Sequence, residues 1–407
     1  MKVVQINTAV NTGSTGRITE EIGQTILANG GESFVAYGRK GGNTKSVSIQ
    51  IGTSIDHSIH GLRTRLFDTH GFGSKSATIQ LVKQLQLIRP DIIHLHNLHG
   101  YYLHVGVLFS YLKQQQIPVV WTLHDCWSFT GHCTYFDSVN CEKWKTGCFA
   151  CPKKKAYPTS YWIDNSKSNY QLKNELFNLP QTVQIVTPSK WLASHVQDSF
   201  LKSNPITVIH NGVDTKLFKP IDASKIGESY HLAGKNIILG CASIWDKRKG
   251  LDDFIALHQY LQPNQIIVLV GLNQQQIKSL PVGIIGIQRT ENIQELAALY
   301  STADVFVNPT WQDNFPTTNL EAVACGTAVI TYNTGGSPEA IDEATGFVIK
   351  KGNVQSLADA VNTVLENGKN HYRSNCRKRA EHLFNKNDRY GDYLKLYESL
   401  LTQAVKN

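Results

Sequence analysis

Short apolar runs alternating with helix-forming stretches constrain this chain more than any other feature. In the first half the runs are VVQIN, SFVAYG, DIIHLHN, PVVWTLHD and VQIVTPS, followed by TVIHNGVD. They read as strands buried on both faces, which a parallel sheet covered by helices provides. Helices are expected from about Thr19 to Asn29 and from Gln80 to Arg89, the second stopped by Pro90. The second half repeats the rhythm with NIILGCAS, QIIVLVG, VGIIGI, DVFVNPT, AVITYN and GFVIKKG. Helices are expected there from about Leu251, around Ile293 to Ser301, and from Val354 to Glu366, the last with a clear apolar face. Two βα-repeating halves predict an α/β chain of two doubly wound, Rossmann-like domains facing a central cleft. With 407 residues the chain is long for one domain, and a hydrophobic content of 41% supplies two cores. Pro205, Asn211-Gly212 and Pro220 punctuate the middle, so the domains are expected over 1–205 and 206–385.

Charge is distributed unevenly. Residues 1–205 hold 20 Lys and Arg against 12 Asp and Glu, whereas residues 206–407 hold 20 of each. A basic first half suits an anionic partner such as a phospholipid surface or a lipid diphosphate, or otherwise a solvated face. No apolar run is long enough to span a bilayer, and MKVVQINTAV reads as a strand rather than a secretion signal. The chain is therefore expected in the cytoplasm, with the inner face of the membrane as a further location.

The stretch 308–346, NPTWQDNFPTTNLEAVACGTAVITYNTGGSPEAIDEATG, carries the chemistry. A strand end leads into a polar loop with Asp313, then into a helix opening near Thr317 and carrying Glu321. A helix N-terminus offers backbone N–H groups to a phosphate, and acids suit sugar hydroxyls. Together they point to a nucleotide-sugar site. A second element, ASIWDKRKG at 242–250, follows a strand and supplies Lys249 as a point charge and Arg248 as a planar donor for a diphosphate.

These segments resemble the donor-binding signature of retaining GT-B glycosyltransferases of family four. The family's acid pair matches Asp313 and Glu321, its Ala-x-Ala-Cys-Gly-x-Pro-Val run matches residues 322–329, and its Lys-Gly matches Lys249-Gly250. Asp313 replaces the usual Glu, Ala328 the usual Pro, and Ser243 stands at the family's Arg position. The resemblance implies a donor set of Gly16, Ser243, Arg248, Lys249, Asp313, Asn314, Phe315, Pro316, Thr317 and Glu321. It places Gly16 in a glycine-rich loop, NTGSTGR at 11–17, and His124 beside the transferring sugar, so that His124, Asp313 and Lys249 serve the reaction. It implies no metal at the reaction centre, and packing of the terminal helix, 386–407, on the first domain. His96 and His99, near the end of IIHLHNLHG, are expected on the acceptor side. The implied partners are a nucleoside-diphosphate sugar and a saccharide or lipid-linked acceptor. Rival readings are a nucleotide-sugar epimerase of the same fold and a zinc-containing nucleic-acid-binding protein; the second leaves the Asp313–Glu339 constellation unexplained, so no nucleic-acid partner is expected.

An insert at 126–162 holds five of the eight cysteines. Cys133, Cys141, Cys148 and Cys151 could close a structural four-thiolate zinc site, or remain thiols or disulfides. The basic, aromatic segment after them, Lys153 to Lys155 with Tyr157, Tyr161 and Trp162, suits a membrane interface or a solvated loop.

Overall fold

The computed structural model describes residues 1–178, 183–222, 226, 230 and 232–406. They form two compact units, Met1–His210 with Tyr390–Asn407, and Asn211–Arg389.

The first unit is built on a seven-stranded sheet of order β3-β2-β1-β4-β5-β6-β7. Its strands are β1 (Lys2–Val10), β2 (Glu32–Gly41), β3 (Val47–Gln50), β4 (Ile92–Leu95), β5 (Val119–Thr122), β6 (Val183–Thr187) and β7 (Ile206–Val208). All neighbouring pairs are parallel. Parallel strands need crossovers, and helices α1 (Gly13–Ala28), α2 (Ser54–Phe67), α3 (Lys75–Ile88), α4 (Val105–Gln114), α5 (Ser166–Phe177) and α6 (Lys190–Gln197) provide them. The central strands β4, β5 and β6 are buried along their whole length, as their apolar composition requires. The terminal Lys386–Lys406 helix sets Tyr390, Tyr393 and Tyr397 into a core with Val3, Ile22, Ile92 and Val120.

Two helix starts differ from the sequence expectation. α1 opens at Gly13 rather than near Thr19, so Gly16 lies in its first turn and NTGSTGR is not an extended loop. The reason is the tight end of β1. Asn11 takes a left-handed φ of 45° and its N–H donates to Gly16 O at 2.9 Å. A Cβ on Gly16 would come within 3.2 Å of Asn11 N, so a side chain there would crowd the strand-to-helix junction. α3 likewise opens at Lys75, five residues before the expected start, and ends at Ile88 ahead of Pro90.

The second unit carries a six-stranded parallel sheet of order β10-β9-β8-β11-β12-β13. The strands are β8 (Asn236–Cys241), β9 (Gln265–Val270), β10 (Ile284–Ile287), β11 (Val305–Asn308), β12 (Ala328–Tyr332) and β13 (Gly346–Ile349). Strand order reverses between β8 and β11, where the carboxyl ends of an open α/β sheet form a binding crevice. Two buried networks fix the loops leaving those strands. Asn308 Nδ2 donates to Asn319 Oδ1 at 2.7 Å, Asn319 Nδ2 donates to Ser337 Oγ at 3.0 Å, and Ser337 Oγ meets Thr331 Oγ1 at 2.6 Å. Asp253 accepts from Trp311 Nε1 at 2.7 Å and from the Tyr332 hydroxyl at 2.6 Å.

Asp253→Ala strands two donors, one of them on the fully buried Tyr332. It should cost roughly 2–4 kcal/mol in denaturant unfolding of this unit. A loss below ~1 kcal/mol would show that the carboxylate does not hold the 310–312 loop.

Candidate functional site

In the second unit β8 ends at Cys241 and a single turn of 3-10 helix, Lys247–Lys249, follows. Asp246 caps that turn by accepting from Lys249 N at 3.0 Å. The Lys249 ammonium then reaches the Asp313 carboxylate in direct contact, with both side chains only partly exposed. Arg248 Nη1 donates to Gln312 O at 3.1 Å, and Arg248 O accepts from Trp311 N at 2.7 Å. The basic turn is thereby tied to the loop after β11 through both backbone and side chains. Ser243 is exposed and stands apart from these bonds.

The Asp313 loop is held from below by Gly335, whose φ is +55°. A Cβ there would fall 1.7 Å from Asp313 O, so only glycine allows the approach. Gly336 N donates to Asn314 O at 2.8 Å. Asn314, Phe315 and Pro316 are all buried. Phe315 belongs to the hydrophobic core and packs 5.9 Å from the Phe384 ring, so its side chain supports the loop. Pro316 then caps the Thr317–Ala324 helix with no side-chain hydrogen bond and no acid in the first turn. A helix start of this kind directs its backbone amides and positive dipole end outward, toward an anion.

Glu321 faces into the fold from the second turn of that helix and is buried. Its Oε2 accepts from the Tyr300 hydroxyl at 2.9 Å. Burial, with the Glu321 and Cys241 neighbours, drives the Tyr300 pKa well up, so the phenol stays a donor. Tyr300 and Gln312, the latter with a buried Nε2 that has no protein partner, were not apparent from the sequence. Their partners lie on other elements, and no local spacing announces them. Glu339 sits in the short Ser337–Ala340 turn, where its carbonyl accepts from Arg379 Nη2 at 3.2 Å.

In the first unit His124 lies just beyond β5 and stacks on His96 at 5.4 Å with planes 16° apart. A directed chain runs beneath it. Gln5 Nε2 donates to Thr19 O at 2.9 Å, which turns Gln5 Oε1 toward His96 Nε2 at 3.1 Å. His96 Nδ1 must then accept from His124 Nε2 at 3.1 Å. The chain fixes the His124 tautomer and leaves its Nδ1 as the nitrogen with the lone pair. Burial pushes the His124 pKa down to about 4, so the ring is neutral at physiological pH. His96 is itself enclosed, 1% exposed, and acts beneath His124 rather than as an acceptor-facing group.

His99 belongs to a second chain. Its Nε2 meets Asp125 Oδ2 at 2.7 Å and its Nδ1 meets the Tyr157 hydroxyl at 3.1 Å. Asp125 also accepts from Trp127 N at 2.9 Å. Burial acts to raise the Asp125 pKa, but His99 and the Trp127 amide outweigh it and hold the carboxyl below its ordinary range. Asp125 directly follows His124, so the dipeptide itself was the available signal for it.

Cys133, Cys141, Cys148 and Cys151 line one small cavity with His132. Cys148 Sγ accepts from Gly131 N at 3.1 Å. All four are free thiols. Among the described residues no group of three or more His, Cys, Asp or Glu side chains is placed to hold a metal ion. The insert is packed by Phe136 stacked on Trp144 at 4.8 Å, with Phe129 beside them.

Family comparison agrees with this geometry. Residues 15–217 match the model described as Glycosyltransferase Family 4, and residues 223–383 match Glycosyl transferases group 1. The chain belongs to the GT-B glycosyltransferases of family four. The capsular polysaccharide biosynthesis glycosyltransferase CapM of Staphylococcus aureus is 26% identical over 51% of this chain and 59% of its own. The N,N'-diacetylbacillosaminyl-diphospho-undecaprenol alpha-1,3-N-acetylgalactosaminyltransferase of Campylobacter jejuni is 28% identical over 51% of this chain and 58% of its own. The chain spans little more than half the length of the curated relatives it matches. Anabaena HepE, solved in complex with UDP, shares the fold with a TM-score of 0.70 at 16% identity, covering 98% of this chain and 100% of its own.

The histidine chains make the first unit of this glycosyltransferase acid-sensitive. His60, His94, His96 and His124 all have pKa values pushed down, first by burial. His132, held up by Asp68 against burial, runs the opposite way. Depressed values mean that the unfolded chain takes up more protons once pH falls below ~6.5. Stability of the first unit should thus be full above that pH and drain away toward pH 4, where His124 titrates. Each neutral histidine contributes about 1.4 kcal/mol per pH unit within the window. Calorimetry at stepped pH checks this, and a first-unit transition that holds steady down to pH 4.5 would contradict it.

Proposed function

We propose that this chain is a retaining glycosyltransferase. It moves a sugar from a nucleoside-diphosphate sugar to a saccharide or lipid-linked saccharide in the building of cell-surface polysaccharide. The observation that carries the reading is the Lys249–Asp313 contact beside the uncapped start of the Thr317–Ala324 helix. A diphosphate needs concentrated positive potential, and here a lysine, an arginine and a helix N-terminus supply it from rigid elements. Support for the substrate class comes from the UDP complex of HepE and from the lipid-diphosphate acceptor in the name of the Campylobacter relative.

In this reading Lys249 and Arg248 hold the donor phosphates, and Glu321, braced by Tyr300, holds the ribose hydroxyls. Asp313 and the amides after it hold the donor sugar. The bond from the anomeric carbon to the diphosphate breaks, and the leaving phosphate takes the acceptor hydroxyl proton. The new glycosidic bond forms on the same face of the sugar. Charge on the departing diphosphate is met by Lys249 and the helix amides, which are preorganised and so most effective as that charge develops. Neutral His124 accepts a hydrogen bond from a sugar hydroxyl at Nδ1 without adding a charge. The work is done in the cytoplasm, at the inner membrane face when the acceptor is lipid-linked.

Lys249→Ala should lower kcat/KM for transfer from UDP- or GDP-linked sugars by roughly 30- to 150-fold, the loss of one charge-assisted contact of about 2–3 kcal/mol. It should also remove most of the thermal protection given by the free nucleoside diphosphate. Full activity in the variant would move the diphosphate elsewhere. Because the charge is assigned to side chains and amides, transfer should survive EDTA. Activity lost to EDTA and restored by Mg²⁺ would contradict the assignment.

A further inference from the structure

Helix α2 is inside out. Its buried positions are His60, Gly61 and Thr64, and its C-cap Asp68 is also fully buried. Its apolar residues point to solvent: Ile55 is 71% exposed, Ile59 54% and Leu62 56%. With the half-buried Leu66 they are spaced four, three and four apart, which sets them in one stripe along the helix. By the ~100° turn per residue, Arg63 and Arg65 flank the stripe on opposite sides. Both arginines are exposed.

A second segment extends this surface. Tyr161 N donates to Arg65 O at 2.8 Å and Ile163 N donates to Leu66 O at 3.4 Å. Asn165 Nδ2 donates to Phe67 O at 2.7 Å. The chain thus satisfies carbonyls that the helix end leaves without partners. It also lays Tyr161, Trp162 and Ile163 against the last turn, and Trp162 is 76% exposed. Lys153, Lys154 and Lys155 precede this segment, and Lys154 Nζ donates to Trp162 O at 3.2 Å. The only acid of α2, Asp56, is engaged by Thr53 through both its N–H and its hydroxyl.

A helix that buries polar groups and exposes aliphatic ones has its apolar partner outside the chain. The composition of the surface says which partner. An aliphatic stripe, an exposed Trp and Tyr, and a rim of Arg and Lys match an anionic lipid interface, where aromatic rings sit at headgroup depth and basic side chains meet lipid phosphate. We infer that the outer face of α2 and the Tyr161–Ile163 segment dock this protein on an anionic phospholipid bilayer. The inference rests on the lipid-linked acceptor of the proposed function and assigns the surface that would bring the enzyme to it.

The test is flotation of the full chain with phosphatidylglycerol vesicles and with phosphatidylcholine vesicles, each with UDP thermal protection measured on the same sample. Wild-type protein should float with phosphatidylglycerol and only weakly with phosphatidylcholine. Ile59→Asp with Leu62→Asp should reduce flotation at least tenfold and leave UDP protection intact. Arg63→Gln and Arg65→Gln should each weaken it roughly fivefold, the factor for one basic residue at an anionic surface (about 1 kcal/mol). Trp162→Ala, outside the helix, is a second apolar probe in case the aspartates disturb folding, and should also weaken flotation. Wild-type protein that fails to float, or variants that float undiminished, would overturn the docking surface. So would sedimentation showing that the stripe pairs two copies of the chain. Protection by UDP or GDP alongside any of these results would leave the glycosyltransferase reading standing, whereas wild-type protein that floats but is protected by neither nucleotide would count against that reading.

Discussion

An ammonium and a carboxylate in contact at the carboxyl end of a sheet are useful only if neither backbone can drift. Here Lys249 sits on a single capped turn and Asp313 on a loop pressed to within a glycine's clearance of the 335 backbone. Below that loop, Asn308, Asn319, Thr331 and Ser337 link two strands, a helix and a turn by hydrogen bonds in the core. Such networks are costly if broken and specific if complete. The positive potential of the site is therefore fixed before any ligand arrives, which is the property an enzyme of this family needs to stabilise a departing diphosphate.

The first unit uses a different device. His94, His96 and His124 are kept neutral by burial, and a chain that starts at a backbone carbonyl, Thr19 O, gives His96 and His124 their tautomers. His94 is bracketed by the Thr122 and Tyr397 hydroxyls, so the terminal helix takes part in the same polar interior. The arrangement gives His124 a defined lone pair at the cost of acid stability. One unit gathers charged side chains on two loops; in the other, burial keeps this histidine chain uncharged.

Much of this was legible in the chain because parallel strands advertise themselves as apolar runs. NIILGCAS, QIIVLVG and AVITYN each contain a strand of the second sheet. The spacing of Asp313 and Glu321 likewise located a polar loop and the Thr317–Ala324 helix after it. Helix starts were harder, because the left-handed Asn11 lets α1 begin six residues early, at Gly13. Partners distant in sequence were invisible, as with Tyr300 and Glu321 or Asp253 and Tyr332. α2 carries apolar residues at helical spacing, Ile55, Ile59, Leu62 and Leu66, but they lie on the solvent side, so periodicity gives no sign that the helix packs through His60 and Thr64. The close spacing of the four cysteines is matched by the one cavity they line beside stacked aromatic rings.

If Lys249, Asp313 and the Thr317–Ala324 helix start form one anion site, a nucleoside diphosphate binds where they come together. Amide hydrogen exchange with and without UDP or GDP reads those backbone groups directly. Exchange should slow in peptides covering 246–250 and 313–319 at saturating nucleotide, with the 284–287 edge strand unchanged. Nucleotide binding that leaves both peptides exchanging at their free rates would place the diphosphate elsewhere.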